Sequence, residues 1–304
     1  MSIFNTLVSK TIMHVPGPIV GFFAKSYIAG PNLYDAVKVV YELNSKNMMA
    51  TIDILGEFIE TKDEAKYYKD MCIKILDTID KEKLDANLSL KPTQMGLTLD
   101  KEFARQTIED IIAHAKSLNN FVRIDMEDVQ TTDNTLEFYR EFREKFTEHV
   151  GTVLQSYLRR TPKDIENLSD GLLNLRLCKG IYNEARIHAY KDMAIINKNY
   201  TYCLDKLFSK KAYVGIATHD EKLIFDALTL IEKYNLNKED YEFQMLLGVD
   251  EELREIIVND GHRLRVYVPF GKDWLPYSKR RLKENPSIAA HALRQMLGKH
   301  GNKA

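Results

Sequence analysis

The 304-residue chain is 44% hydrophobic and 29% charged with only 14 Gly and 8 Pro, which supplies a large core and excludes a disordered chain. Forty-three Lys and Arg against 44 Asp and Glu leave a net charge of −1, so a broad basic surface for nucleic acid is excluded and only a local basic cluster has room. Three widely spaced cysteines, Cys72, Cys178 and Cys203, fit neither a disulfide framework nor a CxxC-type metal site and imply a reducing, cytoplasmic setting.

No apolar run approaches the roughly 20 residues needed to cross a bilayer. Asn5, Ser9 and Lys10 interrupt the first 30 residues, where a signal peptide would carry its apolar stretch. Residues 1–48 read as a helical N-terminal arm: Ile3, Leu7 and Ile12 recur at near-helical spacing, Pro16 and Pro18 break the pattern, and Leu33, Ala36, Val37, Val40 and Leu43 resume it after Pro31. From Ala50 onward, short apolar or β-branched runs alternate with amphipathic stretches. The runs predict eight strands at Ala50–Leu55, Leu84–Leu90, Phe121–Met126, Val153–Leu158, Leu173–Cys178, Ala212–Ala217, Tyr241–Leu247 and Leu264–Val268. Apolar residues at intervals of three and four predict helices at Asp63–Thr78, Lys101–Ser117, Thr135–Phe146, Glu184–Phe208, Glu221–Lys233 and Glu251–Val258.

Strands separated by helix-length connections pair in parallel through right-handed crossovers. Closure into an α/β, (β/α)8 TIM-type barrel over residues 49–304 accommodates them, close to the ~250 residues usual for that fold. Neither GxGxxG nor GxxxxGK[ST] occurs to support a doubly wound open sheet. In such a barrel, chemistry comes from the C-terminal strand ends. These ends are polar here: Lys91; Asp125, Glu127 and Asp128; Gln155 and Tyr157; Arg176, Lys179 and Gly180; Thr218, His219 and Asp220; Gln244; and Tyr267. Any one of them also reads as a solvated strand end, but the set exceeds what a structural barrel requires.

The stretch from Trp274 to Asn285 is cationic. Tyr277 and Arg281 are four apart, as are Arg280 and Glu284, so one edge of a helix can carry them. Alone, this is a solvated charged face with an ion pair. Following the eighth strand and the Pro269–Gly271 turn, it is a helix that can lie across the barrel mouth. There Arg280, Arg281 and Lys91 would make a carboxylate site, with Tyr182 and Tyr267 as walls for an aliphatic ring.

Several segments, in order along the chain, carry a resemblance. They are Leu88–Lys91, Ile124–Asp128, Gln155–Tyr157, Arg176–Tyr182, Ala217–His219, Phe243–Leu246, Arg265–Pro269 and Tyr277–Glu284. Together they resemble proline dehydrogenase, a flavin-dependent barrel enzyme that also forms the proline-oxidising domain of bifunctional proline utilisation proteins. The resemblance implies noncovalent FAD and oxidation of L-proline to Δ1-pyrroline-5-carboxylate by hydride transfer to flavin. Electrons would pass to a membrane quinone, in the first step of proline catabolism to glutamate. It implies that Arg280, Arg281 and Lys91 hold the proline carboxylate, with Glu284 beside the arginines, and that Tyr182, Leu246 and Tyr267 pack the ring. Arg176 would lie beside the reactive flavin nitrogen, Gln155 at the flavin edge and Met126 against the cofactor. Lys179, Gly180 and Ile181 would bind the phosphates, Thr218 and His219 the adenosine end. Asp125 would be the active-site aspartate, and Tyr267, where it crowds the ring, favours proline over hydroxyproline.

No metal is expected, because the histidines lack ligand spacing. A folate-type flavin reductase on the same barrel, or a noncatalytic amino-acid-binding barrel, are the alternatives. The expected location is cytoplasmic, with peripheral contact on the inner face of the cell membrane through the apolar stretch Val15–Tyr27.

Overall fold

The computed structural model describes residues 27–56, 59–168, 171, 173–272, 274, 275 and 278. Its eight strands are β1 (Met49–Ile54), β2 (Ala86–Leu90), β3 (Val122–Ile124), β4 (Val150–Gln155), β5 (Asn174–Cys178), β6 (Tyr213–Ala217), β7 (Tyr241–Leu246) and β8 (Leu264–Phe270). They pair in parallel in sequence order and close through β8 and β1, with Ile52 beside Val268. Helix α1 (Leu33–Asn44) precedes the barrel. Helices α2 (Lys62–Lys81), α3 (Lys101–Ser117), α4 (Thr132–Phe146), α5 (Thr161–Asn167), α6 (Met193–Ser209), α7 (Glu221–Tyr234) and α8 (Glu251–Asn259) connect successive strands. This is the (β/α)8 barrel that the alternation predicts.

The helices start where side chains satisfy their first N–H groups. Asn32 and Thr61 form capping boxes with Asp35 and Glu64, and Asp100, Asp192, Asp220 and Asp250 accept from the first turns of α3, α6, α7 and α8. One parity of each strand is apolar, as in Ile52, Leu88, Val122, Leu175, Val214, Phe243 and Val266. These side chains bury with Cys72, Ile75, Ile108, Ile111, Leu204 and Leu207 of the helices, each large aliphatic contributing about 1.5–3 kcal/mol. Helix α1 buries Ala36, Val37, Val40 and Leu43 and packs on both β8 and β1, covering the seam where the barrel closes.

Several element boundaries differ from expectation by up to three residues, and β8 runs on through Pro269 and Phe270, where a turn was expected, because both residues still pair with β1. Two further differences arise from turn chemistry. The fourth strand is Val150–Gln155 rather than Val153–Leu158, because a 3-10 turn at Thr147–His149 delivers the chain directly into it. Ser156 and Tyr157 then leave the strand, and a short helix with Pro162 in its first turn follows at Thr161. The helix expected from Glu184 begins only at Met193, where the Asp192 carboxylate accepts from the N–H groups of Ala194 and Ile195. The preceding loop is fastened by Tyr190 N–H donating to the Tyr157 carbonyl.

Candidate active site

The second parity is polar on six of the strands: Thr51 and Asp53 on β1, Asn87 and Ser89 on β2, Arg123 on β3, Asn174 and Arg176 on β5, Glu242 and Gln244 on β7, Arg265 and Tyr267 on β8. Their hydrogen bonds join strands that are not neighbours, which requires them to meet inside the barrel. Arg123 Nη2 donates to Asn174 Oδ1 at 2.6 Å, and Arg176 Nη1 donates to Asp125 Oδ1 at 2.7 Å. A barrel interior is ordinarily filled with branched apolar side chains. Buried charges in their place are weak contributors to stability, and their bonds lead up to Arg176 and Asp125 at the mouth.

At the C-terminal mouth four expected residues converge. Asp125, just past β3, accepts from Ser89 Oγ at 2.7 Å and Arg176 Nη1 at 2.7 Å on Oδ1, and from the Tyr267 hydroxyl at 2.8 Å on Oδ2. Lys91 Nζ lies 3.7 Å from Asp125 Oδ2 and 3.4 Å from the Tyr267 oxygen, and pairs with Asp53 Oδ1 at 2.8 Å. The Arg176 guanidinium sits over the Tyr267 ring, 5.3 Å from its centroid. All five side chains, Asp53 included, are buried or nearly so.

Burial acts on both carboxylates, yet they end on opposite sides of the ordinary range. In Asp125 burial pushes the pKa up, but Arg176 and Lys91 together with the bonds from Ser89 and Tyr267 outweigh it, and the net shift is downward. In Asp53 burial wins over Lys91, with the Asp125 charge assisting, and the pKa is raised. Burial, followed by the charges of Asp125 and Asp53, pushes the Tyr267 hydroxyl well up, so it remains a proton donor.

A second group of expected residues lies in the loops after β4 to β7. Lys179 Nζ pairs with Asp220 Oδ2 at 2.8 Å, and Asp220 N–H donates to Thr218 Oγ1 at 3.1 Å. His219 Nε2 accepts from the Leu246 N–H at 2.8 Å, which fixes Leu246 at the end of β7. Gln155, last in β4, donates from Nε2 to the Glu127 carbonyl at 3.3 Å, near buried Met126, while its Oε1 is buried with no partner among the described residues. Tyr182 is half-buried and Ile181 exposed in the loop after β5. Gly180 in that loop has φ +99°, and a Cβ there would stand 2.2 Å from the Tyr157 ring. Gly180→Ala therefore destabilises the protein by about 1–3 kcal/mol, read as a lower melting temperature; an unchanged one would show that the loop does not need this conformation. Arg280, Arg281 and Glu284 lie outside the described residues.

Asp53 escapes the strand-end reading, which takes no residue from β1. Its signal is an acid inside Met49–Ile54, a run that is otherwise apolar apart from Thr51 and buried at every position. Ser89 and Glu242 likewise enter the interior network without having been assigned a role, and Asp220, read only as a polar strand end, pairs with Lys179 in the second group.

A closed parallel barrel with a buried Lys–Asp–Arg–Tyr network at its C-terminal mouth defines a (β/α)8-barrel enzyme. Residues 36–294 match the family model described as proline dehydrogenase, and Proline dehydrogenase 1 of Bacillus subtilis subsp. natto is 37% identical over 276 residues, 91% of each chain. The chain belongs to the proline dehydrogenase family, oxidoreductases of proline metabolism. Proline dehydrogenase of Deinococcus radiodurans is 34% identical over 278 residues, 90% of each chain. Among solved structures, proline utilization A from Bdellovibrio bacteriovorus, inactivated by N-propargylglycine, matches with a TM-score of 0.81 at 26% identity. The match covers 86% of this chain and 32% of that one.

Proposed function

We propose that the protein oxidises L-proline to Δ1-pyrroline-5-carboxylate, with noncovalently bound FAD as the acceptor and a membrane quinone receiving the electrons. The observation that carries this reading is the Lys91–Asp125–Arg176–Tyr267 network, in which two cations face one carboxylate at the barrel mouth, with Asp53 as the second counter-ion of Lys91. The residues present fit the cofactor. Gln155 Oε1 is a buried acceptor in need of a donor, and the loop at Gly180 presents Lys179 beside Thr218. In this reading Met126, Gln155, Arg176, Lys179, Gly180, Ile181, Thr218 and His219 hold FAD.

FAD, when bound, supplies the hydride acceptor. Lys91, with Arg280 and Arg281 from the family motif and Glu284 beside them, meets the carboxylate, while Tyr182, Leu246 and Tyr267 enclose the ring. Hydride departure from the carbon beside the ring nitrogen needs the amine lone pair. The positive charges of Lys91 and Arg176 lower the pKa of the bound amine and so favour its neutral form. Arg176 also places positive charge where negative charge develops. Asp125, held ionised, keeps Arg176 and Tyr267 in place as a catalytic-site aspartate.

Purified protein is expected to be yellow and to bleach anaerobically on adding L-proline. A colourless protein that takes up no added FAD overturns the proposal, and oxidation of a reduced nicotinamide without response to proline assigns the folate-type reductase instead. Among the described helices none is long and apolar enough to cross a membrane. Delivery of electrons to a quinone therefore calls for peripheral contact, with residues 1–48 as the arm and 49–304 as the catalytic barrel. Sedimentation with vesicles tests this contact; absence of binding in both oxidised and reduced enzyme rejects it.

A further inference from the structure

Beneath the mouth, one line of contacts runs down the barrel interior. Glu242 of β7 is buried at 1% exposure. Its Oε2 accepts from the Tyr213 hydroxyl at 2.7 Å, and its Oε1 accepts from Arg265 Nε at 2.7 Å and Gln244 Nε2 at 2.5 Å. The other end of the same amide, Gln244 Oε1, accepts from Arg176 Nε at 2.5 Å. A carboxamide has one donor end and one acceptor end, so an anion on one side dictates what the other side offers. Burial pushes the Glu242 carboxyl up, but Arg265 and the bonds from Arg265, Tyr213 and Gln244 hold it down to about 2, and it is an anion throughout the working pH range.

The neighbouring strand is shaped for this arrangement. A Cβ at Gly215 of β6 would stand 2.3 Å from Gln244 Nε2, so β6 yields its side-chain space to the amide. Arg176 is thereby gripped at Nε by Gln244 and at Nη1 by Asp125, while Nη2 has no hydrogen bond among the described residues. We propose that Glu242, acting through Gln244, is a positioning residue for Arg176, fixing the guanidinium plane and the Nη2 edge that faces the bound cofactor. This rests on the reading that Arg176 lies against FAD.

Gln244→Met preserves length and removes both hydrogen bonds. The expected result is unchanged flavin occupancy, a KM for proline within about twofold, a kcat about tenfold lower and a flavin midpoint potential moved to more negative values. In an Arg176→Met background the same change adds less than about twofold, because its effect travels through Arg176. Full additivity overturns the proposal. So does a lower melting temperature with kcat and potential unchanged, which would mark Gln244 as packing alone. Glu242→Gln is expected to move kcat and potential in the same direction; since it strips Arg265 of its anion and can impair folding, Gln244→Met carries the test. A wild-type protein without flavin overturns the functional reading itself, an outcome distinct from any variant's behaviour.

Discussion

Replacing Lys91 by Met destabilises the protein by about 3–5 kcal/mol at neutral pH, and adding Asp53→Asn restores more than half of that loss. Lys91 and Asp53 form a 2.8 Å pair at 8% and 1% side-chain exposure, so removing the ammonium leaves a carboxylate buried without its counter-ion. Removing both charges leaves no such ion, which is why the double variant recovers. The coupling between the two changes, read from denaturant midpoints of the four proteins, is the quantity to measure. Additive losses would show that the pair is not the unit of stability here.

The same pair sets a pH dependence whose sign follows from Asp53. Its folded pKa is raised above the ~3.9 of an unfolded aspartate. Asp53 thus contributes stability that is fully present below the unfolded value and is lost as pH rises through the folded one. Lys91 is one of the groups that lowers the Asp53 pKa, so Lys91→Met raises it further. The deficit of Lys91→Met against wild type is expected to be smallest in acid and to widen towards pH 8. A deficit that widens towards acid instead contradicts this assignment.

The eight-strand alternation is legible because strands and helices differ in period, and apolar residues such as Ile52, Val214 and Val266 mark the outer parity without reference to the rest of the chain. The residues Lys91, Asp125, Arg176 and Tyr267 are legible as a set: ionisable groups recurring at or near the C-terminal ends of successive apolar runs exceed what solvated strand ends require. Asp53 is not legible in this way. It sits one residue before the end of a buried strand, and its partner is 38 residues away, so only barrel closure shows that the acid has a counter-ion. Glu242 and Gln244 alternate with Tyr241, Phe243 and Met245 at period two, a pattern that signals a polar lumen but not the direction of the amide between them. The displaced start of β4 has a third cause, since turn residues at 147–149 outweigh the apolar run that follows. Assigning the pocket to a flavin needs family resemblance, because a cationic pocket alone is equally suited to any small anion.

Asp125→Asn is expected to lower kcat/KM for proline by about 100-fold or more while also costing about 3–5 kcal/mol of stability. One carboxylate here accepts from Ser89, Arg176 and Tyr267 and neutralises Lys91 at 3.7 Å. An amide offers one acceptor oxygen and two N–H donors in the same space. If its oxygen stays with Arg176 and Ser89, its NH2 confronts the Tyr267 hydroxyl and the Lys91 ammonium; the opposite orientation sets it against the guanidinium. Either way a buried donor loses its acceptor and a ring or guanidinium shifts, and displacements near 1 Å are enough for losses of this size. The pH signature is opposite to that of Asp53. Because the folded pKa of Asp125 is lowered, its contribution is present above the unfolded value of ~3.9 and is lost as pH falls through the folded one. Asp125→Asn therefore flattens the acid limb of the stability profile, whereas Asp53→Asn removes the loss on the rising side. Acid unfolding followed by circular dichroism distinguishes them: an unaltered acid limb in Asp125→Asn would mean that the carboxylate is not held ionised by Arg176 and Lys91.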